Sequence, residues 1–310
     1  MSRVDALLGR ITKFAEAVQK ADLDIIQEFE GSDVLPDVIE RYEAEMAKLF
    51  RRELKALRKL LNQSIAKADD IPDEFNDLTF EAMLAYYAND LFISDAFKDD
   101  LMELNAKYFK EIVENIAGQM MESIDKEVAF NTLSPKTAQH IEEWSEDLAD
   151  IMRLNTHEAV RDILVRGIEE GKSIQDVELE LKDAKEFNRQ RARTTAITEM
   201  LSASNVALQE AYIQSPAVQG KKWRHSGAKN RKQPRPNHMM MDGKVVAVDE
   251  EFEIYGSSER CMQPGDPGLS AKERVNCGCI ASPVVNQRIL GLSAEEKERI
   301  RQEAIEELET

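Results

Sequence analysis

Cysteine is scarce in this chain: only three occur in 310 residues, and aromatic side chains make up 6% of it. An odd and small number of cysteines excludes the disulfide framework that staples small secreted domains. No run of about 18 apolar residues occurs, which argues against a transmembrane helix. The N-terminal MSRVDALLGRITKF also lacks the unbroken apolar stretch of a secretory signal. A soluble protein made in a cytoplasm is expected, with no membrane partner. Net positive charge is missing as well, since 59 Asp and Glu outnumber 41 Lys and Arg for a formal charge of −18. A chain so acidic repels phosphates as a whole, so only a local patch would give it affinity for nucleic acid.

What the chain does have is charge at 32% and hydrophobic residues at 42%, the mixture of long solvated helices around a folded core. Apolar residues at Ile39, Tyr42, Met46, Leu49, Phe50, Leu54, Leu57, Leu60 and Leu61 recur at the three-and-four spacing of one helical face. Pro36 suits the first turn of that helix. Further helices are expected over Phe80–Leu91, Leu101–Phe130 and Arg191–Tyr212, with Asp69–Phe75 as an early boundary. Ser134-Pro135 reads as an N-cap and first helical residue. Thr156 is expected to cap another helix that stops at Gly171. Ser173-Ile-Gln-Asp176 offers the serine and acid of a capping box, and Ser293-Ala-Glu-Glu296 starts a terminal helix to about Leu308.

Around Pro216 the texture changes to short extended segments between prolines and glycines. Lys222–His225, Lys244–Val248 and Phe252–Tyr255 read as strands, Asp242-Gly243 as a hairpin signal, and Ile280–Val285 closes the module. The expected fold is therefore mainly α. A long helical region over 1–155 precedes a small α+β module with short strands over 156–290, and a terminal helix over 291–310.

The module is locally basic: Lys221, Lys222, Arg224, Lys229, Arg231, Lys232, Arg235 and Lys244 stand against one acid, Asp242. Such a patch suits DNA phosphates, an acidic partner, or acidic helices of the same chain. His225, His238, Cys261, Cys277 and Cys279 also fall in the module. Imidazole and thiolate are the donors of tetrahedral Zn²⁺, and four of them make a closed structural site. The plainer alternative is small buried cysteines and polar loop histidines. Expected ligands are Cys277 and Cys279 with His238 and Cys261, and His225 in reserve. A closed site leaves no position open for hydrolysis.

The order Thr198-Glu199, Trp223, Arg235-Pro-Asn-His238, Asp242-Gly243, Phe252, Pro264-Gly-Asp-Pro267 and Asn276-Cys-Gly-Cys279 resembles the head morphogenesis domain of the phage Mu protein F-like family. The resemblance covers roughly Thr156 to Pro283. Two positions depart from it: Ile197 stands where the family usually has Arg before Thr-Glu, and Gly278 where an Arg usually separates the cysteines. The resemblance implies a minor capsid protein of the virion, near the portal of the phage head and assembled in the host cytoplasm. It also implies a role in head assembly and DNA packaging or delivery. Implied partners are the portal protein and the major capsid or scaffold protein, with packaged DNA reached through the basic patch. No catalytic residue carries over, and a non-enzyme is expected, with Thr198 and Glu199 packing inside the module. The alternative is a metal-dependent hydrolase or transferase acting on nucleic acid or nucleotide through the His/Cys cluster.

Overall fold

A computed structural model describes residues 23, 25–68, 96–130, 132–170, 172, 174–227 and 235–309. Features expected at Asp69–Phe75, Phe80–Leu91, Gly171 and Ser173 lie outside these residues, as do Lys229, Arg231 and Lys232. Five helices come first: α1 (Leu35–Ala68), α2 (Ala96–Ile124), α3 (Pro135–Glu169), α4 (Ile174–Asp183) and α5 (Arg189–Gln214). Then follow β1 (Val218–Arg224), α6 (Pro236–Met241), β2 (Val245–Ala247), β3 (Phe252–Glu253) and β4 (Arg260–Cys261). The chain continues through α7 (Ala271–Arg274), β5 (Ile280–Val285), α8 (Gln287–Leu290) and α9 (Ala294–Glu309). The protein is thus mainly helical with a small antiparallel sheet near the C-terminus.

Local chemistry sets several boundaries. Pro36 occupies the first turn of α1. Ser134 caps α3, its hydroxyl accepting from the Thr137 amide at 3.2 Å. At α9 the capping box closes in both directions: Glu296 N donates to Ser293 Oγ at 3.3 Å, and Ser293 N donates to Glu296 Oε2 at 3.1 Å. Thr156 is not a cap. It lies inside α3, which runs unbroken through the expected boundary at 155/156, and its hydroxyl donates to the Met152 carbonyl one turn back.

Two compact units make up the chain, and neither follows the sequence divisions at 155 and 290. One consists of Glu40–Tyr108 and Ile141–Ala196. Its core is apolar faces at helical spacing: Tyr42, Met46 and Phe50 from α1, Leu101 and Leu104 from α2, Trp144, Leu148 and Met152 from α3. Few polar groups enter it. Tyr42 donates its hydroxyl to Asn105 Oδ1 at 2.5 Å, and Asn105 Nδ2 donates to the Ser145 carbonyl at 3.2 Å. Glu43 is buried but paired, with Arg193 at 2.8 Å and Arg189 at 2.6 Å.

The other unit consists of Met1–Ile39, Phe109–His140 and Ile197–Thr310, and it contains the sheet. β1 is the central strand, antiparallel to β2 (Lys221↔Val246) and to β5 (Trp223↔Ala281). β3 and β4 form a separate pair, Phe252 opposite Cys261. Asp242-Gly243 is a turn, with Gly243 at φ 83°, but it closes no two-residue hairpin. It links α6 to β2, so 20 residues separate the ends of the paired strands β1 and β2, Arg224 and Val245. A cluster of Trp223, Met241, Phe252, Ile254, Cys261, Leu269, Cys277 and Cys279 forms the core beside the sheet.

Helix α5 explains how so many loops stay ordered. From Ile197 to Gln214 nearly every residue is buried, polar ones included. Thr198, Ser202, Asn205, Gln209 and Tyr212 recur every three or four residues, a polar stripe on one face. Each member satisfies loop or strand backbone. Ser202 Oγ donates to the Gly265 carbonyl at 2.6 Å, Gln209 Nε2 to Val248 at 2.8 Å and Tyr212 Oη to Ala281 at 2.9 Å. Asn205 bridges Cys279 O (3.0 Å) and Ala281 N (3.3 Å). Buried backbone groups must find partners, and in this loop-rich module a helix supplies them.

Candidate functional site

His238, Cys277 and Cys279 converge, their donor atoms all within 4.8 Å of one another. Pro236 starts α6 at a position that needs no backbone N–H, and two residues later the helix presents His238. The cysteines come from the loop between α7 and β5. Asn276 adopts a left-handed φ of 54° there, which asparagine tolerates, and turns the chain so that Cys277 points inward. Thr198 and Glu199 hold that turn from α5. Thr198 Oγ1 accepts from the Asn276 amide at 3.0 Å, and Glu199 pairs with Arg274. The Thr-Glu pair therefore positions the cysteine loop and touches no open surface.

His238 Nδ1 lies 3.5 Å from Cys277 Sγ and 3.7 Å from Cys279 Sγ. Its other ring nitrogen, Nε2, is 2.9 Å from Glu273 Oε2, which also accepts from Asn237 Nδ2 at 2.9 Å. His238 is 1% exposed and Glu273 0%. Trp223 packs edge-on to both His238 (5.4 Å between ring centres) and Phe252 (5.3 Å), fixing the imidazole plane. The sulfurs titrate as a pair. A hydrogen bond from the Cys279 thiol holds Cys277 well below its ordinary value, and His238 adds to this against desolvation. The same shared proton, with burial, pushes Cys279 well above it, while the Ser226 amide and the Trp223 indole act the other way. A buried nitrogen and two sulfurs match the donor set of a thiophilic divalent ion.

Cys261 does not join this group. It sits on β4 in the same core, paired opposite Phe252, and burial pushes its thiol far up. His225 is also outside: its amide donates to Asp242 Oδ1 at 2.9 Å, and its Nδ1 accepts from the Gly227 amide at 3.2 Å.

Gly278, between the cysteines, is needed for a close approach. A Cβ there would meet the Ile25 carbonyl oxygen at 2.5 Å. Gln27 completes the contact, donating to the Gly278 carbonyl at 2.8 Å and to that of Arg224 at 3.1 Å. In this chain the segment around Ile25–Gln27 occupies the space where a longer side chain at 278 would have to go.

The basic patch is divided by the structure. Lys221 cannot meet a phosphate: it is 0% exposed, donates to Gln209 Oε1 at 3.1 Å and lies over the Phe252 ring. Arg235 is committed to backbone, donating to Lys272 O at 2.6 Å and Val275 O at 2.7 Å, so it clamps α7. Lys222 is half-buried and Arg224 exposed.

Among the described residues, no helix is long and apolar enough to cross a membrane. Residues 158–282 match the family model described as Phage Mu protein F like protein. The uncharacterized protein YqbB of Bacillus subtilis (strain 168) is 47% identical over the whole of both chains. The NAD(+)--arginine ADP-ribosyltransferase EFV of Enterococcus faecalis (strain ATCC 700802 / V583) is 33% identical over 126 residues, which are 40% of this chain and 25% of that one. No solved structure matches. The chain belongs to the phage Mu protein F-like family, and its role is accordingly one related to phage head morphogenesis.

Proposed function

We propose that this protein is a structural minor component of the phage head, seated near the portal and acting in head assembly and DNA packaging or delivery through protein contacts. One observation carries this reading. Residues that mark the family resemblance (Thr198, Glu199, Trp223, His238, Cys277) are turned inward to hold the module's own loops. His238, Cys277 and Cys279 are themselves buried, away from any surface a substrate could reach, which supports a module that works as a folded body. Exposed apolar side chains at Ile151, Leu154, Val165 and Leu179 in one unit, and at Met239, Met240 and Tyr255 in the other, offer surfaces for protein partners.

The test is co-expression of the full chain with the portal and major capsid proteins of the same phage genome. The expected result is a stable complex with portal. Failure to bind either protein, together with its absence from purified heads, would overturn the proposal. ADP-ribosyl transfer to arginine, the reaction named for the enterococcal relative, is the rival outcome. Incorporation of label from NAD⁺ into an arginine-rich acceptor would establish it.

A further inference from the structure

We propose that His238 Nδ1, Cys277 Sγ and Cys279 Sγ bind one zinc-class divalent cation, with Glu273 positioning the imidazole. Three independent features converge on it. The first is the donor set: one nitrogen and two sulfurs within 4.8 Å, brought from α6 and from the loop before β5, which lie 39 and 41 residues apart in sequence. Loop cysteines buried only for packing have no reason to face an imidazole nitrogen.

The second is the tautomer. The Glu273 carboxylate lies against His238 Nε2, so when the neutral ring binds an ion its proton belongs on Nε2 and Nδ1 is the donor atom on the side of the two sulfurs. A carboxylate behind the histidine is the arrangement that orients a ligand ring and raises its basicity. Asn237 from the preceding position in α6 holds the same oxygen, which fixes the carboxylate in turn.

The third is the cost of the alternative. Two cysteines, a histidine and a glutamate are gathered out of water here, and burying such polar donors costs free energy that a cation held among them offsets. On binding, both thiols release their protons to solvent and the imidazole keeps the one on Nε2. Among the described residues no other His, Cys, Asp or Glu joins the three within that distance, so Cys261 is outside the site. The ion ties the end of the module to its middle, across loops that carry little regular hydrogen bonding of their own.

The experiment uses the full chain, purified under reducing conditions without a polyhistidine tag, loaded with zinc and freed of excess. Elemental analysis should give about one zinc per chain, and Cys277→Ser or Cys279→Ser less than about one tenth. Cys261→Ser should retain the full amount. Glu273→Gln should keep the stoichiometry but weaken zinc about 10- to 100-fold in chelator competition. Because cysteine variants sometimes fail to fold, the unaltered protein is also titrated with Co²⁺. A thiolate-to-cobalt charge-transfer band that saturates at one equivalent is expected, and zinc should abolish it. The proposal fails if the unaltered protein binds neither ion. It fails equally if Cys277 and Cys279 are found as a disulfide in the reduced preparation, or if Cys261→Ser removes the metal as completely as Cys277→Ser does.

Discussion

The unit built on Glu40–Tyr108 and Ile141–Ala196 and the unit that carries the sheet solve the same burial problem with opposite materials. In the first, apolar faces meet, and among the described residues the buried polar groups are few: the Tyr42–Asn105–Ser145 chain, Thr156, His157 and the Glu43–Arg193 pair. In the second, helix α5 is buried nearly all round and carries a polar stripe whose members each hold a loop or strand. The apolar solution tolerates changes that conserve volume. The polar one is less forgiving, because deleting one partner strands a buried donor or acceptor.

Five variants press on that contrast. Trp223→Ala should have the largest effect, about 3–5 kcal/mol of stability lost by chemical denaturation, since Trp223 is 0% exposed and braces both Phe252 and His238. A loss below about 1 kcal/mol would mean the module's core does not depend on it. Asn205→Leu comes next. It conserves size but orphans the Cys279 carbonyl and the Ala281 amide, and should cost about 1–3 kcal/mol for each group left unpaired. Tyr42→Phe in the helical unit should cost only about 0.5–1.5 kcal/mol. If the two losses are equal, the contrast between the units is broken.

Lys221→Met should raise the melting temperature at pH 7, by the equivalent of roughly 1 kcal/mol. Burial lowers the Lys221 ammonium from 10.5 to about 8. Between those values the unfolded chain holds the proton more firmly than the folded one, so wild-type stability gains from rising pH across that window. The advantage of the variant should therefore be full below pH 8 and fade as pH rises towards 10.5. An advantage constant from pH 7 to 10 would show that the charge is not the cause. Lys222→Ser with Arg224→Ser should change stability least, by less than about 0.5 kcal/mol. If the patch reaches DNA, that pair should flatten the salt dependence of binding by about one unit of slope for each phosphate left without its cation. Lys221→Met should leave the slope untouched.

Most helices were legible because apolar period and caps agree. Pro36, Ser134 and the Ser293–Glu296 box each mark a real boundary. Thr156 misled, since a threonine inside a helix satisfies its hydroxyl on the turn behind and looks like a cap in sequence. At the site, residue chemistry singled out His238, Cys277 and Cys279 but also swept in Cys261, whose sulfur the fold assigns to packing against Phe252. Glu273 was invisible: within Ala-Lys-Glu-Arg it reads as a solvated turn, and only tertiary contact with His238 buries it. Lys221 does carry a signal in the sequence. Alternation along β1 puts it on the same face as the buried Trp223, two residues on. The stripe on α5 was likewise present as spacing, but polar residues at helical period look like a wet face until a loop is found to cover them.

The polar stripe also bears on the order in which the protein is made. Trp223 leaves the ribosome long before its strand partner Ala281. At roughly 5–20 residues per second the interval is on the order of seconds. Through that interval α5 waits without the segments that will cover it. An apolar helix in that position would be a sticky surface on a nascent chain, whereas hydroxyls and amides at 198, 202, 205, 209 and 212 remain content in water until β5 arrives.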